Sequence, residues 1–590
     1  MRARAWYGRR VSDTDLARVR AYHERSKHRP GRYAAALGYL DWDTQPDPFR
    51  VYRGAETLAL PRRPLAPGPD YPALFEPRAI TPAPLDTDFL DALLLHSLAL
   101  SAWKQQGAAR WSLRVNPSSG NLHPTEAYVL APALAGLSES PGLYHYSPLL
   151  HALERRAAIP AATWDALGAG LPHTRLLVGL TSIAWREAWK YGERAFRYCQ
   201  HDLGHAVAAI DLAAALLGWR ALELPRPGDA QLRALLGLRD DDEDEPELPE
   251  TLLILAPSDM SEETDPIRAW TPPPAAIAWF AAAPLAGTPN RLSAGHEPWP
   301  AIVEVEHATR RPDHDPTPAA DPNTAASPIR EPDPNTVPPP ADRTDPSARP
   351  THGPDPGAAD VAAHDPVAPR PAAALIRGRR SAVAMDGRTG LTRSGFYDML
   401  LRTCPEGPPL RALAGPARVD LALFVHRVAD LEPGLYLLLR DPARRGLWRA
   451  SADAEFAWTR PDGCPAALDL SLLRGGDGRR TAGAIACGQA IAADGCFALG
   501  MIANMRGLDG APYNYRRLYW ETGAIGQILY LEAEALGVAA TGIGCFFDDR
   551  MHELLGLHGP DLQSLYHFTV GGRVDDPRLR TLDPYHHLDR

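Results

Sequence analysis

The sequence predicts an α+β protein built from two tandem copies of one unit. The first observation is an internal repeat, because residues 196–218 align with residues 515–537 without a gap at an offset of 319. The second is a Pro- and Asp-rich stretch, residues 311–370, which lies between the repeated segments. The third is an alternation of helix and strand signals, which is typical of layered α/β or α+β folds. Together they indicate a duplicated αβ unit of about 170–220 residues.

The two repeated segments share residues at matched positions. The aligned pairs include Arg197 with Arg516, Asp202 with Glu521 and Gly204 with Gly523. Both segments are apolar over much of their circumference and run into Leu-Gly, which is a helix stop, so they predict two buried helices. Strands are predicted at residues 127–130, 251–255, 419–425 and 565–570.

The stretch 311–370 divides the chain. It carries 16 Pro and 9 Asp, with no aromatic residue and no Leu. Such a composition does not bury enough apolar surface to offset the entropy lost on ordering, so it predicts a disordered linker. The predicted domains are a leader segment at 1–84, the first copy at 85–306, the linker at 307–370 and the second copy at 371–590.

Composition and charge argue against several classes of function. The 590 residues contain 62 Lys and Arg against 72 Asp and Glu, a net charge of −10, and the cations are scattered, so we expect no nucleic-acid partner. No run of about 18 apolar residues occurs, and the first residues lack the apolar core of a secretory signal, so we expect neither a membrane partner nor export. The six Cys form no CxxC pair and no zinc-like spacing with His, which predicts thiols in a reducing compartment and no metal site. A cytoplasmic protein is therefore the expectation.

The most informative segment is residues 114–124, which read Arg-Val-Asn-Pro-Ser-Ser-Gly-Asn-Leu-His-Pro. Pro117 and Gly120 predict a turn. Ser118 and Ser119 are predicted to cap a helix that follows, and the free N–H groups at such a helix start suit an anionic or carbonyl-rich ligand. From this segment alone, a capped turn without a ligand is an equally good interpretation.

Two further segments carry groups suited to a phosphate. Arg379, Arg380 and Ser381 precede a predicted helix, and two guanidinium groups with a hydroxyl match phosphate oxygens, although a solvated basic turn is the simpler interpretation of the triplet by itself. Glycine-rich segments near the C-terminus allow the backbone to approach a ligand closely, and a further cation follows them. Their residues are Gly542, Gly544, Gly572 and Arg573.

Taken together, these motifs resemble the nitroreductase-fold flavoproteins, and within them the SagB/ThcOx-type dehydrogenases. The resemblance rests on Arg-x-x-Pro-Ser-Ser-Gly-Asn-Leu-His-Pro-Thr-Glu-Ala-Tyr from Arg114, Lys-Tyr-Gly-Glu-Arg-Ala-Phe-Arg-Tyr from Lys190, Arg-Arg-Ser from Arg379, and Leu-Tyr-Leu-x-Ala-x-x-Leu-Gly-Val with Gly-Ile-Gly near the C-terminus. It covers most of the chain outside the linker. It implies a nitroreductase-like α+β fold that binds FMN at a dimer interface.

The resemblance also implies which residues hold FMN. In that family the Pro-Ser-Ser loop serves the flavin of the opposite subunit, whereas the Arg-x-Ser motif and the C-terminal Gly loop serve their own. The first copy keeps the loop and the second keeps the other parts, so we expect one complete FMN site per chain across an intramolecular pseudo-dimer, with the second site degenerate. One departure is Val383, where the family often has a basic residue. The implied cofactor-binding residues are Arg114, Pro117, Ser118, Ser119, Asn121, Arg379, Arg380, Ser381, Gly542, Gly544, Gly572 and Arg573.

Lys190 and Tyr191 match the Lys-Tyr pair associated with catalysis in azoline-oxidising members, and the resemblance implies that they are catalytic here. Removing two hydrogens from an azoline ring requires hydride transfer to the flavin and loss of a proton, and a Lys or Tyr with a shifted pKa can serve the proton step. Arg cannot serve it, because Arg stays protonated. The chain keeps only three Lys among its 62 basic residues, which favours a specific role for Lys190.

The leading hypothesis is an FMN-dependent dehydrogenase of the SagB type. Its substrate would be a thiazoline or oxazoline ring in a ribosomally made peptide, and a cyclodehydratase complex is the expected partner. An NAD(P)H-dependent nitro- or quinone reductase acting on a small molecule is the first alternative, although no GxGxxG fingerprint follows a strand. A cofactor-free scaffold subunit of a peptide-modifying complex is the second, and the retained Pro-Ser-Ser-Gly, Lys-Tyr and Arg-Arg-Ser motifs argue against it.

Overall fold

The computed structural model describes residues 13–63, 65, 68–76, 78–239, 244–259, 264–313, 363–364 and 370–588. Most of the predicted linker lies outside the described residues. The helices of the described part are α1 (Asp13–Arg25), α2 (Thr87–Leu95), α3 (Ala161–Leu167), α4 (Ala184–Tyr191), α5 (Ala195–Leu216), α6 (Asp229–Leu235), α7 (Asp265–Arg268), α8 (Pro274–Ala282), α9 (Pro300–Ala308), α10 (Ala372–Gly378), α11 (Arg393–Arg402), α12 (Arg445–Ser451), α13 (Arg479–Ile485), α14 (Ile491–Asp494), α15 (Asn514–Ala535) and α16 (Asp548–Leu555).

The strands of the described part are β1 (Tyr52–Arg53), β2 (Glu56–Ala59), β3 (Leu100–Gln106), β4 (Ala109–Arg114), β5 (Thr125–Ala131), β6 (Gly142–Ser147), β7 (Ala152–Ala158), β8 (Leu176–Ile183), β9 (Trp219–Glu223), β10 (Glu247–Pro257), β11 (Thr288–Pro289), β12 (Ala363–His364), β13 (Gly390–Leu391), β14 (Val419–Val425), β15 (Gly434–Leu439), β16 (Asp469–Gly475), β17 (Phe497–Asn504), β18 (Ala539–Ile543), β19 (Leu562–Gly571) and β20 (Arg580–Leu582). The four strands predicted from sequence are confirmed as β5, β10, β14 and β19.

Two antiparallel sheets form the body of the protein. The first sheet has the order β2-β7-β6-β5-β8-β10-β9, and the second has the order β16-β15-β14-β17-β19-β18. Apart from the edge strand β2, the two orders correspond strand for strand. The central strands β8 and β17 are buried along their whole length, which explains why both are rich in apolar residues. The mixed helix-and-sheet class predicted from sequence is therefore confirmed.

Helices α5 and α15 pack against each other between the two sheets, and both were predicted as buried helices. They approach at Gly204 and Gly523. A Cβ atom at Gly204 would overlap the backbone oxygen of Trp520, and one at Gly523 would overlap the backbone oxygen of His201. These contacts are related by the sequence offset of 319. The same offset relates Phe196 to Tyr515, and their rings are stacked with centroids 6.3 Å apart.

Each long helix forms one buried ion pair with the opposite half. Arg197 Nη1 on α5 lies 2.7 Å from Asp548 Oδ1 at the start of α16. Arg516 Nη2 on α15 lies 2.9 Å from Asp229 Oδ1 at the start of α6. Arg197 and Arg516, and likewise Asp548 and Asp229, are 319 residues apart, so the contacts of one side of the helix crossing recur on the other.

The ends of the described chain are exchanged between the halves. Strand β2, from the predicted leader 1–84, extends the first sheet by pairing with β7. Just after α1, the His28 N–H donates a 3.0 Å hydrogen bond to the carboxylate of Asp548 in the second half. In the other direction, β20 near the C-terminus pairs with β3 of the first half.

Of the described helices, none combines the length and apolar character that a membrane span requires.

We predict that Gly204→Ala lowers the free energy of unfolding by about 1–3 kcal/mol, because the added methyl group overlaps a backbone atom that has no room to move. Denaturant unfolding of the full chain measures this. Gly446→Ala is the matched control, since Gly446 also lies in a helix but has open space around its Cβ position. Equal stability of the two variants would contradict the close helix approach.

Candidate active site

A cavity of about 970 Å³ lies between the two halves and is lined by residues of both. The first half contributes parts of β3 and β4, the loop between β4 and β5, the last residue of α4 and one face of α5. The second half contributes the segment after α10, strand β18 with the residues that follow it, one residue each of α15 and β19, and the segment that follows β19. The sequence-predicted residues that line it are Arg114, Pro117, Ser118, Ser119, Asn121, Tyr191, Arg379, Arg380, Ser381, Gly542, Gly544 and Arg573. Lys190 and Gly572 are not among its lining residues.

The loop from Pro117 to His123 differs from the expected helix cap. Ser119–Asn121 form a single 3-10 turn, and strand β5 follows instead of an α-helix. Gly120, Asn121 and His123 have φ angles of 57°, 62° and 53°, which turn the chain away from a helical path. The Ser118 hydroxyl accepts a 2.8 Å hydrogen bond from the His123 N–H rather than capping a helix.

Asp202 on α5 holds this loop through hydrogen bonds to Ser119. Its carboxylate accepts hydrogen bonds from the Ser119 N–H at 3.0 and 3.1 Å and from the Ser119 hydroxyl at 3.0 Å. Burial raises the pKa of Asp202 to about 7, while hydrogen bonds from Ser118 and Ser119 oppose the rise. The cavity wall therefore holds a carboxyl group that changes its protonation near neutral pH.

The guanidinium of Arg114 is engaged within the wall. Its Nη1 donates to the Thr125 carbonyl at 3.2 Å and its Nη2 donates to the Pro48 carbonyl at 2.6 Å. Burial lowers its pKa to about 10. The side chain thus fastens the two ends of the loop to the leader segment, while its buried Nε has no hydrogen-bond partner and the residue lines the cavity, so its contact with the cofactor stays a prediction.

Cations crowd one end of the cavity. Burial and then the charges of Arg379, Arg377 and Arg573 lower the pKa of Arg380 to about 10. The pKa of Lys104 is lowered by burial and by the charges of Arg380 and Arg573, against the charge of Asp575, whose Oδ1 lies 2.8 Å from Arg573 Nε. Like charges at this density repel, and a bound anion would relieve the repulsion. This end is the part of the cavity best suited to a phosphate.

Arg379 has a free donor in this region. Its Nε and Nη2 donate to the carbonyls of Val115 and Arg114, and its guanidinium lies 4.8 Å from the centroid of the Tyr530 ring. Its buried Nη1 has no hydrogen-bond partner. An orphaned buried donor is costly, so this atom favours a ligand that accepts. The neighbouring Ser381 hydroxyl lies 2.9 Å from the Tyr530 hydroxyl.

The glycines permit close packing of the wall. A Cβ atom at Gly542 would overlap the Tyr566 hydroxyl, and one at Gly544 would overlap the ring of Tyr198. Gly572 lies behind the wall, where a Cβ atom would overlap Thr389, and its carbonyl accepts a 2.9 Å hydrogen bond from the Asp386 N–H. Gly572 therefore supports the segment after Ser381 rather than facing the cavity.

Tyr191 lies at the other end of the cavity, against the Ser119–Asn121 turn. Its ring is 4.5 Å from that of Tyr198, and burial raises the pKa of Tyr191 well above its ordinary value, so its hydroxyl stays protonated. The Nζ atom of Lys190 lies 5.3 Å from the centroid of the Tyr191 ring. Lys190 thus contacts the cavity through Tyr191.

Several lining residues were missed in the sequence. Lys104 is one of the three lysines, and its rarity carried the same signal that pointed to Lys190. Asp202 was visible in the repeat as the partner of Glu521. Tyr198 and Tyr530 stand inside two of the quoted motifs but were not singled out as site residues. The others are brought in by distant strands and helices; they include His205, Cys545 and Tyr566. Within the described residues, no group of three or more His, Cys, Asp or Glu could hold a metal ion.

Comparison with known proteins supports the fold class. Residues 460–572 match the model of the Nitroreductase family. The chain also superposes on the crystal structure of a protein from Anabaena variabilis ATCC 29413 that is assigned as a nitroreductase, with a TM-score of 0.63 and 23% identity over 94% of this chain and 99% of that one. The fold is thus nitroreductase-like, and the family domain supports an oxidoreductase. Members of this family generally bind a flavin, usually FMN.

Other matches are partial. One is to nitroreductase A of Vibrio parahaemolyticus, with a TM-score of 0.21 and 14% identity over 34% of this chain and 67% of that one. Another is to a chain of the E. coli microcin synthetase McbBCD complex with truncated pro-MccB17 bound, with a TM-score of 0.26 and 19% identity over 42% of this chain and 95% of that one. A search of curated protein sequences finds no match.

We predict that Asp202 makes the free energy of unfolding depend on pH. Because its pKa is raised on folding, the folded state binds a proton that the unfolded state has lost, so stability falls as pH rises between about 4 and about 7. Relative to Asp202→Asn, the unmodified chain should lose up to about 1 kcal/mol per pH unit across that window. Denaturant unfolding of flavin-free protein at several pH values measures the difference, with exposed Asp165→Asn as the control. A difference that stays constant with pH would be evidence against the raised pKa.

Proposed function

We propose that the chain is an FMN-dependent oxidoreductase with one flavin site, built across the two halves. One observation carries the proposal: a single cavity is lined both by crowded cations and by buried tyrosines. A flavin mononucleotide has the matching pair of ends, a dianionic phosphate and a flat aromatic ring system. The volume of about 970 Å³ lies at the upper end of the range for ligand pockets.

The phosphate would lie among Arg379, Arg380, Ser381, Lys104 and Arg573. The free Nη1 of Arg379 would gain an acceptor, and the repulsion among the cations would be offset by the ligand charge. Charge-assisted hydrogen bonds of this type are stronger than neutral ones. The exposed Val383 leaves this end open where a basic side chain occurs in the family that the sequence resembles.

The ring system would lie between the Pro117–Asn121 loop and the segment containing Gly542 and Gly544. These glycines let the Tyr566 hydroxyl and the Tyr198 ring come close to the backbone of the wall. When bound there, FMN would supply reversible acceptance of a hydride. The protein supplies the binding, the orientation and the groups that hold protons.

The offset of 319 also locates the counterpart of this site, which supports a single flavin per pseudo-dimeric chain. Glu223 occupies the place of Gly542, and Arg517 occupies the place of Tyr198. Their side chains meet, with Arg517 Nη2 lying 3.0 Å from Glu223 Oε2, and Glu223 also accepts from the Ala414 N–H at 2.9 Å. Although burial opposes it, the charges of Arg517 and Arg311 lower the pKa of Glu223. An ion-pair cluster therefore fills the second position, and we propose that the duplicated units retain one working site.

Proton handling would fall to Tyr191 and Asp202. The Tyr191 hydroxyl holds its proton and is a hydrogen-bond donor to the substrate, while the Asp202 carboxylate can take up a proton near neutral pH. The Lys190 ammonium beside the Tyr191 ring stabilises electron density on the phenol oxygen. In this scheme Lys190 is a positioning residue that acts through Tyr191.

The substrate class that we propose is an azoline ring in a ribosomally made peptide, with a cyclodehydratase as partner. The proposal rests on the retained Lys190-Tyr191 pair and on a proton-accepting carboxyl group at the same end of the cavity. Oxidation of an azoline to an azole needs both a hydride acceptor and a proton acceptor, and both would lie in this cavity. Turnover of a nitroarene with NADPH, but of no azoline peptide, would identify the reductase alternative instead.

We predict one FMN per chain. The protein purified or reconstituted with FMN should release about one equivalent of flavin on denaturation, measured by flavin absorbance against protein concentration. Arg573→Ala should weaken FMN binding by about tenfold or more, since it removes one charge-assisted contact, and Arg506→Ala, a surface change away from the cavity, should not weaken it. Two equivalents of FMN, or none, would overturn the single-site proposal.

We predict that Tyr191→Phe lowers kcat for azoline oxidation by about 100-fold, because it removes the hydrogen-bond donor that acts on the substrate, with little change in FMN affinity. Lys190→Arg keeps the charge and should lose less activity than Tyr191→Phe. Tyr397→Phe makes the same chemical change at a buried tyrosine outside the cavity lining and serves as the control. Steady-state kinetics on an azoline peptide gives the comparison, and an unchanged kcat in Tyr191→Phe would remove this hydroxyl from the mechanism.

A further inference from the structure

A pair of cysteines lies on the cavity wall. Cys545 follows Gly544 and lines the cavity, and Cys487 lies beside it on the loop after α13, near enough for each thiol to shift the pKa of the other. Both residues are free thiols and both are half-buried. They are 58 positions apart in sequence, so only the fold brings them together.

The backbones on either side hold the two thiols in place. The Phe547 N–H donates to the Ile485 carbonyl at 2.8 Å. The side-chain amide of Gln489 bridges the two segments, because it donates to the Ala486 carbonyl at 2.8 Å and to the Cys545 carbonyl at 2.9 Å. Cys487 has a φ of 55°, a left-handed conformation that a non-glycine residue adopts only when its surroundings fix it.

The surroundings make the two sulfurs chemically unequal. Interaction with the Cys487 thiol, and then with His28 and the charge of Arg194, lowers the pKa of Cys545 well below its ordinary value against the opposing effect of burial. The same interaction raises the pKa of Cys487. The Arg194 guanidinium is held beside the pair by donating to the Gly544 carbonyl at 3.1 and 3.2 Å. A nucleophilic thiolate with an adjacent protonated thiol is the arrangement of a reactive and a resolving cysteine.

We propose that Cys487 and Cys545 form a thiol–disulfide redox site on the wall of the cavity, which reacts with small-molecule disulfides. The Cys545 sulfur attacks one sulfur of the disulfide, whose S–S bond breaks and releases one thiol. Cys487 then loses its proton and attacks the Cys545 sulfur of the mixed disulfide, which releases the second thiol. Two protein thiols are oxidised to one disulfide, and one small disulfide is reduced to two thiols.

The site is independent of the proposed flavin chemistry, because its reaction needs only the two cysteines and an external disulfide. Its effect on the cavity is direct. Closing the bond would join the loop after α13 covalently to the segment that carries Gly542 and Gly544. The wall of the cavity would then be fixed in its present position, and reduction would release it.

The test uses the full-length chain, native and fully reduced, with 5,5′-dithiobis(2-nitrobenzoate) as the disulfide. The unmodified chain should release two equivalents of nitrothiobenzoate in quick succession, keep no adduct, and yield a link between the peptides of Cys487 and Cys545 in mass spectrometry. Cys487→Ser should release one fast equivalent and retain the adduct on Cys545. Cys545→Ser should react at about one tenth of the rate of the unmodified chain or more slowly, since the activated thiolate is gone. Cys464→Ser, another half-buried cysteine, is the matched control and should behave like the unmodified chain.

Three results would overturn the proposal. They are an adduct that persists on Cys545 in the unmodified chain, a link from Cys545 to any other cysteine, and equal reactivity of Cys545→Ser and the unmodified chain. Cys487→Ala is the second variant at the strained position, and circular dichroism confirms that each variant is folded. A retained adduct in both Cys487 variants supports the resolving role, and its absence in a folded variant counts against it.

Discussion

The structure depends on the approach of α5 and α15 at Gly204 and Gly523. Because each glycine lies against a backbone oxygen of the other helix, the distance between the helices is set by main-chain atoms and not by adaptable side chains. The two buried ion pairs that flank the crossing add directional contacts at fixed positions. Together they fix the separation of the two sheets, and the cavity is the space that this separation leaves between them.

The same helix positions carry different chemistry on the two sides of the crossing. Asp202 and Glu521 keep a shared role, since each carboxylate accepts from backbone N–H groups at the entry to a central strand, Ser119 in one half and Arg418 in the other. Elsewhere the residues diverge, as when Tyr198 of the cavity has Arg517 as its counterpart. Residues that support the scaffold stay alike, because the backbone contacts that they serve are alike. Residues that face the ligand space are free to differ.

Sequence reasoning predicted the scaffold well because its signals are local or repeated. The two long helices and four strands followed from hydrophobic patterning, and the repeat offset later proved to be the offset of the structural contacts. It predicted which segments line the cavity, but not which atoms face it. Two donors of the Arg114 guanidinium are held by the backbone carbonyls of Thr125 and Pro48, and no motif records that. The Cys487–Cys545 pair is invisible in sequence for the same reason, since tertiary packing alone brings the two loops together.

The exchange of chain ends gives the linker a specific physical meaning. Strand β20 is hydrogen-bonded to β3, and the segment after α1 is bonded to the start of α16, so each half holds a terminal segment of the other. A covalent connection between two bodies that already contact each other raises the effective concentration of one body near the other. It adds little to the stability of the finished contact. The two halves of the single chain are therefore joined by exchanged terminal segments, as the subunits of a dimer can be.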